Sequence, residues 1–302
     1  MKICIPYHPS HAGYWIYEGY KNAWEALGYD VEYIKDKSYF LKPTPSEYQV
    51  MLTEAPLFNN VDGIYDFLEK AQKVYMFVQP NTFPDPWGAH ANFISHSSDT
   101  VISTLNELDN VYLWSFINGK NSSYYDKWKE VHYIPLAFDD VAYQPIDDKE
   151  FEYDVCYIGG LANNGFNEKM LIMRDYFHEL SKMGIKLGIS VNQNISLEDE
   201  AKLLYNSKIA INLHDNYQHV LGLDSNERTF KSLGLNGFLI SDNVKEVGNL
   251  FPTVPLADSS TNMCELVERY LDQDLTLEKE RNKELILQKH TYKKRVEKFL
   301  TL

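Results

Sequence analysis

NERTFKSLGLNGFLISD, Asn226 to Asp242, reads as a short helix running into a strand. Ser225 or Asn226 is suited to the N-cap and Asn236-Gly237 to a left-handed stop, so the helix lies between them and Phe238-Leu239-Ile240 forms the strand. Arg228 and Lys231 then share one face of the first turns. Unpaired amides give a helix N-terminus partial positive charge, so two cations three residues apart there cost free energy unless an anion sits between them. A diphosphate would be such an anion. Pairing of the two side chains with Glu227 or nearby acids in solvent is the alternative.

Outward from this helix, strands and helices alternate. Lys2 to Tyr7 reads as a strand, His8 to Gly13 as a loop, Tyr14 to Leu27 as a helix ended by Gly28, and Val31 to Ile34 as a second strand. Gln49 to Leu52, Val74 to Val78, Phe93 to Ser95 and Val131 to Ile134 supply further strands. A second set begins at Asp154 and continues with Lys186 to Val191, Ile209 to Leu213, Phe238 to Ser241 and Val254 to Leu256. The fold class expected is α/β: two Rossmann-like, doubly wound parallel-sheet domains facing a cleft, with ligands beyond the carboxyl ends of the strands.

The loops at those ends carry the candidates. Gly159 and Gly160, followed by Asn163 and Asn164, leave a strand for a helix; such glycines let backbone amides approach a phosphate, or simply make a tight turn. Gly13 is the close-approach residue of the matching first-domain loop, with His11 and Tyr14 beside it. His96 ends a first-domain strand, where capping or packing is the plainer role. His214 has the better claim, since it ends a second-domain strand opposite the 226–231 helix.

This order of segments resembles the B-type (GT-B) glycosyltransferases, most closely the group-1 branch that includes the spore-maturation-type enzymes. The residues that carry the resemblance are Asn206-Ser207-Lys208-Ile209, Ile211-Asn212-Leu213-His214, the run from Asn226 to Gly237 with Arg228 and Phe230 in place, Glu246, and Leu250-Phe251. Ile134 to Asp139 with Tyr143-Gln144-Pro145 is similar to the family's interdomain segment, Tyr153 to Gly160 to the first strand and turn of its second domain, and His290 to Arg295 to its closing helix. Before about residue 130 only the general pattern is shared, as expected if acceptor domains vary more than donor domains. Met76 to Pro80 and Ile94 to Asp99, which contains His96, are similar to segments of the DNA α-glucosyltransferases of T-even phages, which share the fold.

The resemblance implies an acceptor domain over 1–140, a nucleotide-sugar donor domain over 141–285, and a helix over 286–302 that crosses back to the first domain. It implies transfer from a nucleotide-diphosphate sugar, a UDP-sugar first among them, with retention at the anomeric carbon, no tightly bound cofactor and no metal. Arg228, Lys231 and His96 would be catalytic. Asn226, Glu227 and Thr229 would join Arg228, Lys231, His214 and the loop residues Gly13, Tyr14, Gly159, Gly160, Asn163 and Asn164 in holding the donor. One position departs from the pattern: many retaining members carry a ribose-holding Glu where Lys231 stands, and its paired upstream acid would fall at Leu223. Either Glu227 takes the ribose or the donor is held differently.

At 302 residues and 44% apolar content the chain can bury two cores of ordinary size. A formal charge of −14 disfavours a protein whose main business is gripping polyanions, without excluding a local basic groove. Lys289, Lys293, Lys294, Arg295 and Lys298 read as the solvated face of an amphipathic helix. The start MKICIPYHPSH is broken by Pro6, His8 and Pro9 before any secretory apolar run, and no apolar stretch is long enough to span a bilayer. Cys4, Cys156 and Cys264 are far apart and read as buried free thiols, which suits a cytoplasmic setting. Asp272-Gln273-Asp274 reads as a solvated turn rather than a metal-nucleotide site.

The function expected is a cytoplasmic glycosyltransferase acting on an acceptor hydroxyl of a glycan, a protein, a metabolite or a hydroxymethylated base of phage DNA. A nucleotide-sugar epimerase of the same fold and an inactive sugar-nucleotide-binding protein are the alternatives.

Overall fold

The computed structural model describes residues 2–9, 11–35, 48–54, 64–77, 97–118, 124–161, 168–193 and 195–302. The chain forms two compact units, one of Met1–Pro135 with Tyr292–Leu302 and one of Leu136–Thr291. The first contains β1 (Lys2–Pro6), α1 (His11–Ala26), β2 (Asp30–Ile34), β3 (Tyr48–Glu54), α2 (Ile64–Lys70), β4 (Val74–Phe77), α3 (Asp99–Asn106), β5 (Val111–Ser115) and β6 (Val131–Tyr133). The second contains β7 (Val155–Gly159), α4 (Lys169–Ser181), β8 (Leu187–Val191), α5 (Leu197–Asn206), β9 (Ile209–Asn212), α6 (Asn216–Leu221), α7 (Glu227–Leu235), β10 (Leu239–Asp242), α8 (Lys245–Leu250), β11 (Leu256–Ala257), α9 (Ser260–Leu271) and α10 (Thr276–Lys289). The last helix, α11 (Tyr292–Thr301), belongs to the first unit.

Among the described residues each unit holds one all-parallel sheet, ordered β2-β1-β3-β4-β5-β6 in the first and β11-β10-β9-β7-β8 in the second. Strand order therefore reverses between β1 and β3, and again between β7 and β9. Such switch points leave a crevice at the carboxyl ends of the two strands, where ligands of doubly wound sheets bind. In the second unit the pleat sends Val155, Tyr157, Ile209, Ile211 and Ile240 into one core with Met173 and Leu180 of α4 and Met263 and Val267 of α9. Helices α5 and α7 contact β7, and β9 and β10, respectively, and α10 packs on α7.

Helix α1 buries Ile16, Tyr17, Tyr20, Ala23 and Trp24, an i, i+1, i+4, i+7, i+8 stripe. It starts at His11 rather than Tyr14, so Gly13 lies within its first turn. A Cβ on Gly13 would come 2.6 Å from Nδ1 of His8, whose ring stacks on Tyr17 at 5.2 Å. The close approach that this glycine permits is thus to the imidazole of His8. The strand expected at Phe93 to Ser95 lies outside the described residues, and β5 is an addition to the expected set.

The single closing helix expected over 286–302 falls in two helices, α10 and α11. The Phe138 amide donates to the His290 carbonyl at 2.8 Å and Phe138 pairs with Thr291, so the chain leaves the helix after the His290 amide, which donates to the Ile286 carbonyl at 2.8 Å. Beyond the break, Tyr292 and Phe299 are fully buried in the first unit. Tyr292 meets Tyr20 at 4.9 Å between ring centroids, and Phe299 meets Tyr75 at 4.7 Å and Trp114 at 5.4 Å. Arg295, expected on a solvated face, is buried and donates from Nε to the Pro135 carbonyl at 2.8 Å. Cys4 and Cys156 are buried and Cys264 is partly exposed. No helix among the described residues is long and apolar enough to cross a membrane.

Phe299 fixes α11 on the sheet of its unit, so Phe299→Ala should destabilise that unit by about 4 kcal/mol, the transfer and cavity cost of a buried aromatic. Urea unfolding followed by tryptophan fluorescence, to which Trp114 contributes, measures it. An unchanged midpoint would show that the helix does not depend on this contact.

Candidate active site

The carboxyl ends of β7 and β9 and the start of α7 meet at the second unit's switch point. Asn226 caps α7: its backbone is extended (φ −77°, ψ 161°) and its Oδ1 accepts from the Thr229 amide at 3.2 Å. Gly237, at φ +85°, follows the helix in the left-handed conformation that L-residues avoid. Arg228, in the first turn, therefore projects beside the strand ends. Its Nη1 donates to Asn212 Oδ1 at 2.9 Å and to the Leu213 carbonyl at 3.2 Å, and its guanidinium lies 4.7 Å from the Tyr157 ring centroid. A Cβ on Gly159 would overlap the guanidinium, so this glycine makes room for Arg228 itself.

Lys169 is the residue that the sequence reading missed. It opens α4 and its Nζ also donates to the Leu213 carbonyl. Glu168, just before it, is held left-handed at φ 47°, a strained conformation for a residue with a side chain and one that concentrates at functional positions. Two cations thus converge on one carbonyl oxygen. Asp215 lies 3.5 Å from Lys169, and among the described residues no carboxylate pairs with Arg228. Burial pushes the Lys169 ammonium down to about 8, Arg228 pushes the same way, and Asp215 opposes them. The usable signal was in the residues: a cation at a helix N-terminus is as anomalous at 169 as at 228.

Lys231 does not join this pair. Its Nζ lies 2.9 Å from Glu200 Oε1 and donates to the Tyr143 hydroxyl at 2.8 Å, while Tyr143 donates to Glu200 Oε2 at 2.6 Å. Burial works against the Lys231 charge, but Glu200 and then Glu227 outweigh it and raise its pKa. The Glu227 carboxyl, also in the first turn of α7, is pushed up to about 7 by burial, with Lys231 pulling it down and Glu200 and Asp139 adding to the rise.

Asn226 and Thr229 belong to the support of Arg228: Asn212 Nδ2 donates to Asn226 Oδ1 at 2.9 Å and to Thr229 Oγ1 at 2.8 Å. His214 is fully buried next to them, 3.3 Å from Asn212 through Nε2. Gly160 follows Gly159, and a Cβ there would meet Asn192 Oδ1 at 3.7 Å. Gly13 and Tyr14 lie on α1 in the first unit. His96, Asn163 and Asn164 lie outside the described residues. Asp272 ends α9, and Asp274 accepts from the Thr276 amide and hydroxyl at the start of α10, so the Asp-x-Asp is a capped turn.

Comparison with known proteins bears on this site. Residues 149–301 match the family described as glycosyl transferase-like. No curated protein matches in sequence. Among solved structures, T4 phage BGT in complex with its UDP-glucose substrate is similar at a TM-score of 0.57 and 13% identity, over 95% of each chain. An α-glucosyltransferase solved with UDP and a 13-mer DNA containing an HMU base is similar at 0.53 and 13%, over 96% of each chain. Spinosyn forosaminyltransferase is similar at 0.51 and 9%, over the whole of both chains. At these identities the structural likeness establishes the fold, GT-B. The family match spans the whole of the unit that carries Arg228 and Lys169 apart from its first residues, and the chain belongs to the glycosyl transferase-like family, a glycosyltransferase of the GT-B fold.

Proposed function

We propose that the protein moves a sugar from a UDP-sugar to an acceptor hydroxyl, with the donor diphosphate lodged against Arg228 and Lys169 at the β7/β9 switch point. The observation that carries this is the convergence of those two cations on the Leu213 carbonyl, with Asp215 the one carboxylate paired to either of them among the described residues. Like charges held together without full countercharge are a site prepared for an anion. UDP-glucose and UDP in the similar solved structures support a uridine nucleotide as donor.

In this mechanism the diphosphate gains charge as the glycosidic bond breaks, and fixed cations stabilise that charge more than they stabilise the bound donor. Arg228 offers a planar fork of donors to the phosphate oxygens, Lys169 a point charge, and the N-termini of α4 and α7 add partial positive charge. With Lys231 committed to Glu200, Glu227 is the carboxyl at the start of α7 that would receive the ribose hydroxyls. Retention and independence of metal belong to this proposal on the strength of the group-1 resemblance. The acceptor is a hydroxyl of a glycan, protein, metabolite or hydroxymethylated base, and the charge of −14 weighs against the last. Incubation with a panel of nucleotide sugars, with and without candidate acceptors, tests the proposal by the release of free UDP; an enzyme that interconverts nucleotide sugars, or none at all, would release no UDP.

Arg228→Ala should lower turnover on the order of a hundredfold or more, and Arg228→Lys should recover little of it. Lys231→Met should instead destabilise the fold by about 3 kcal/mol, because it strands the buried Glu200 charge. Steady-state kinetics beside urea unfolding separates the two effects, and equal kinetic losses would put both residues on the donor.

A pH dependence follows from Lys169. With its ammonium pushed down to about 8, it is charged below that pH and neutral above it. UDP affinity should therefore fall as the pH rises past 8, by up to about tenfold per pH unit for the loss of one proton. Calorimetric titration at pH 7 and 9 measures the fall, which Lys169→Met should abolish while binding weakly at both values.

A further inference from the structure

A second set of buried groups lies one layer beneath Arg228. Asp242, at the end of β10, is fully buried and accepts four hydrogen bonds, one of them from the Ser241 hydroxyl at 3.3 Å. Its Oδ1 is 2.6 Å from His214 Nδ1; its Oδ2 accepts from the His214 backbone amide at 2.6 Å and lies 2.9 Å from His219 Nε2. His219 Nδ1 lies 3.2 Å from the Asn243 carbonyl. Both ring nitrogens of His219 thus face oxygen acceptors, and only the imidazolium can donate to both. Burial works against a charge on His219, but Asp242 outweighs it and raises the imidazole pKa, which favours an imidazolium on the Asp242 carboxylate.

The consequence for His214 is a single tautomer. With Asp242 accepting at Nδ1, the proton resides there and Nε2 is a bare acceptor, 3.3 Å from Asn212 Nδ2 and 3.3 Å from Ser225 Oγ. An acceptor at that place joins Asn226 Oδ1 and Thr229 in turning the Asn212 amide, so that its NH2 faces these three groups and its oxygen accepts from Arg228 and from Asn226 Nδ2 at 3.2 Å. In the opposite tautomer, Nε2–H would oppose the Asn212 NH2. The amide would then turn over and present N–H groups to a guanidinium that has only N–H groups to offer.

We infer that Asp242 and His219 are positioning residues for Arg228, acting through the His214 tautomer and the Asn212 amide; this rests on the proposal that Arg228 binds the donor diphosphate. Asp242 is fully buried and His219 sits on α6, where its side chain is 26% exposed. Asp242 also acts electrostatically on Lys169, so the part of the effect carried by Arg228 is what a double-mutant cycle isolates.

The experiment titrates UDP calorimetrically into wild-type protein, Asp242→Asn and His219→Gln, and into the same two variants combined with Arg228→Ala, with a melting curve for each. Asp242→Asn and His219→Gln should each weaken UDP binding on the order of tenfold while Arg228 is present, and less than twofold in the Arg228→Ala background. Equal losses in both backgrounds, or none in either, would make the cluster a purely structural feature and overturn the inference. If Asp242→Asn fails to fold, His219→Gln, at the more exposed side chain, decides alone. If Arg228→Ala by itself leaves UDP affinity at the wild-type value, the diphosphate assignment fails first and this inference with it.

Discussion

Two positive charges held against one carbonyl oxygen are the constraint around which the second unit is arranged. Arg228 and Lys169 both donate to Leu213. Two unit charges about 4 Å apart repel by roughly 4 kcal/mol at an effective dielectric of about 20, so the fold must supply the means to keep them there. It does so from several directions. Gly159 leaves space for the guanidinium, the Tyr157 ring lies 4.7 Å from it, and Asn212 offers an oxygen. Glu168 accepts a left-handed backbone at the start of α4. The arrangement is explained if the cost is recovered when an anion binds, as at other prepared phosphate sites.

The neighbouring cation shows the contrast. Lys231 lies one turn beyond Arg228 on the same helix, yet it is buried against Glu200 and Tyr143. Paired in this way it stabilises the contact between α5 and α7 and has little charge to lend to a ligand. Lys231 is here an internal tie between two helices. The difference between an available and a neutralised cation thus comes from which strands and helices surround it, not from the residue type.

That difference also marks what could be read from the chain beforehand. Asn226 as cap and Gly237 as stop were legible because cap and left-handed preferences act within a few residues. The strands of the second unit were legible from their apolar runs. β5 was not, since Val111 to Ser115 is a short apolar run without clear alternation in the middle of the sheet, and periodicity cannot single such a strand out. The start of α1 at His11 was hidden because Gly13 reads as loop until His8 is known to pack on it. Lys169 and Asp242 were missed for a different reason. Their partners, Leu213 and His214, are 44 and 28 residues away, and only the switch-point topology brings them together.

The central claim is that the donor diphosphate occupies the place where Arg228 and Lys169 converge. A crystal structure of the protein with UDP tests it most directly. The account predicts phosphate oxygens within about 3 Å of the Arg228 guanidinium and the Lys169 ammonium, the range of charge-assisted hydrogen bonds. A diphosphate bound elsewhere, with Arg228 and Lys169 still turned only to the Leu213 carbonyl, would contradict it.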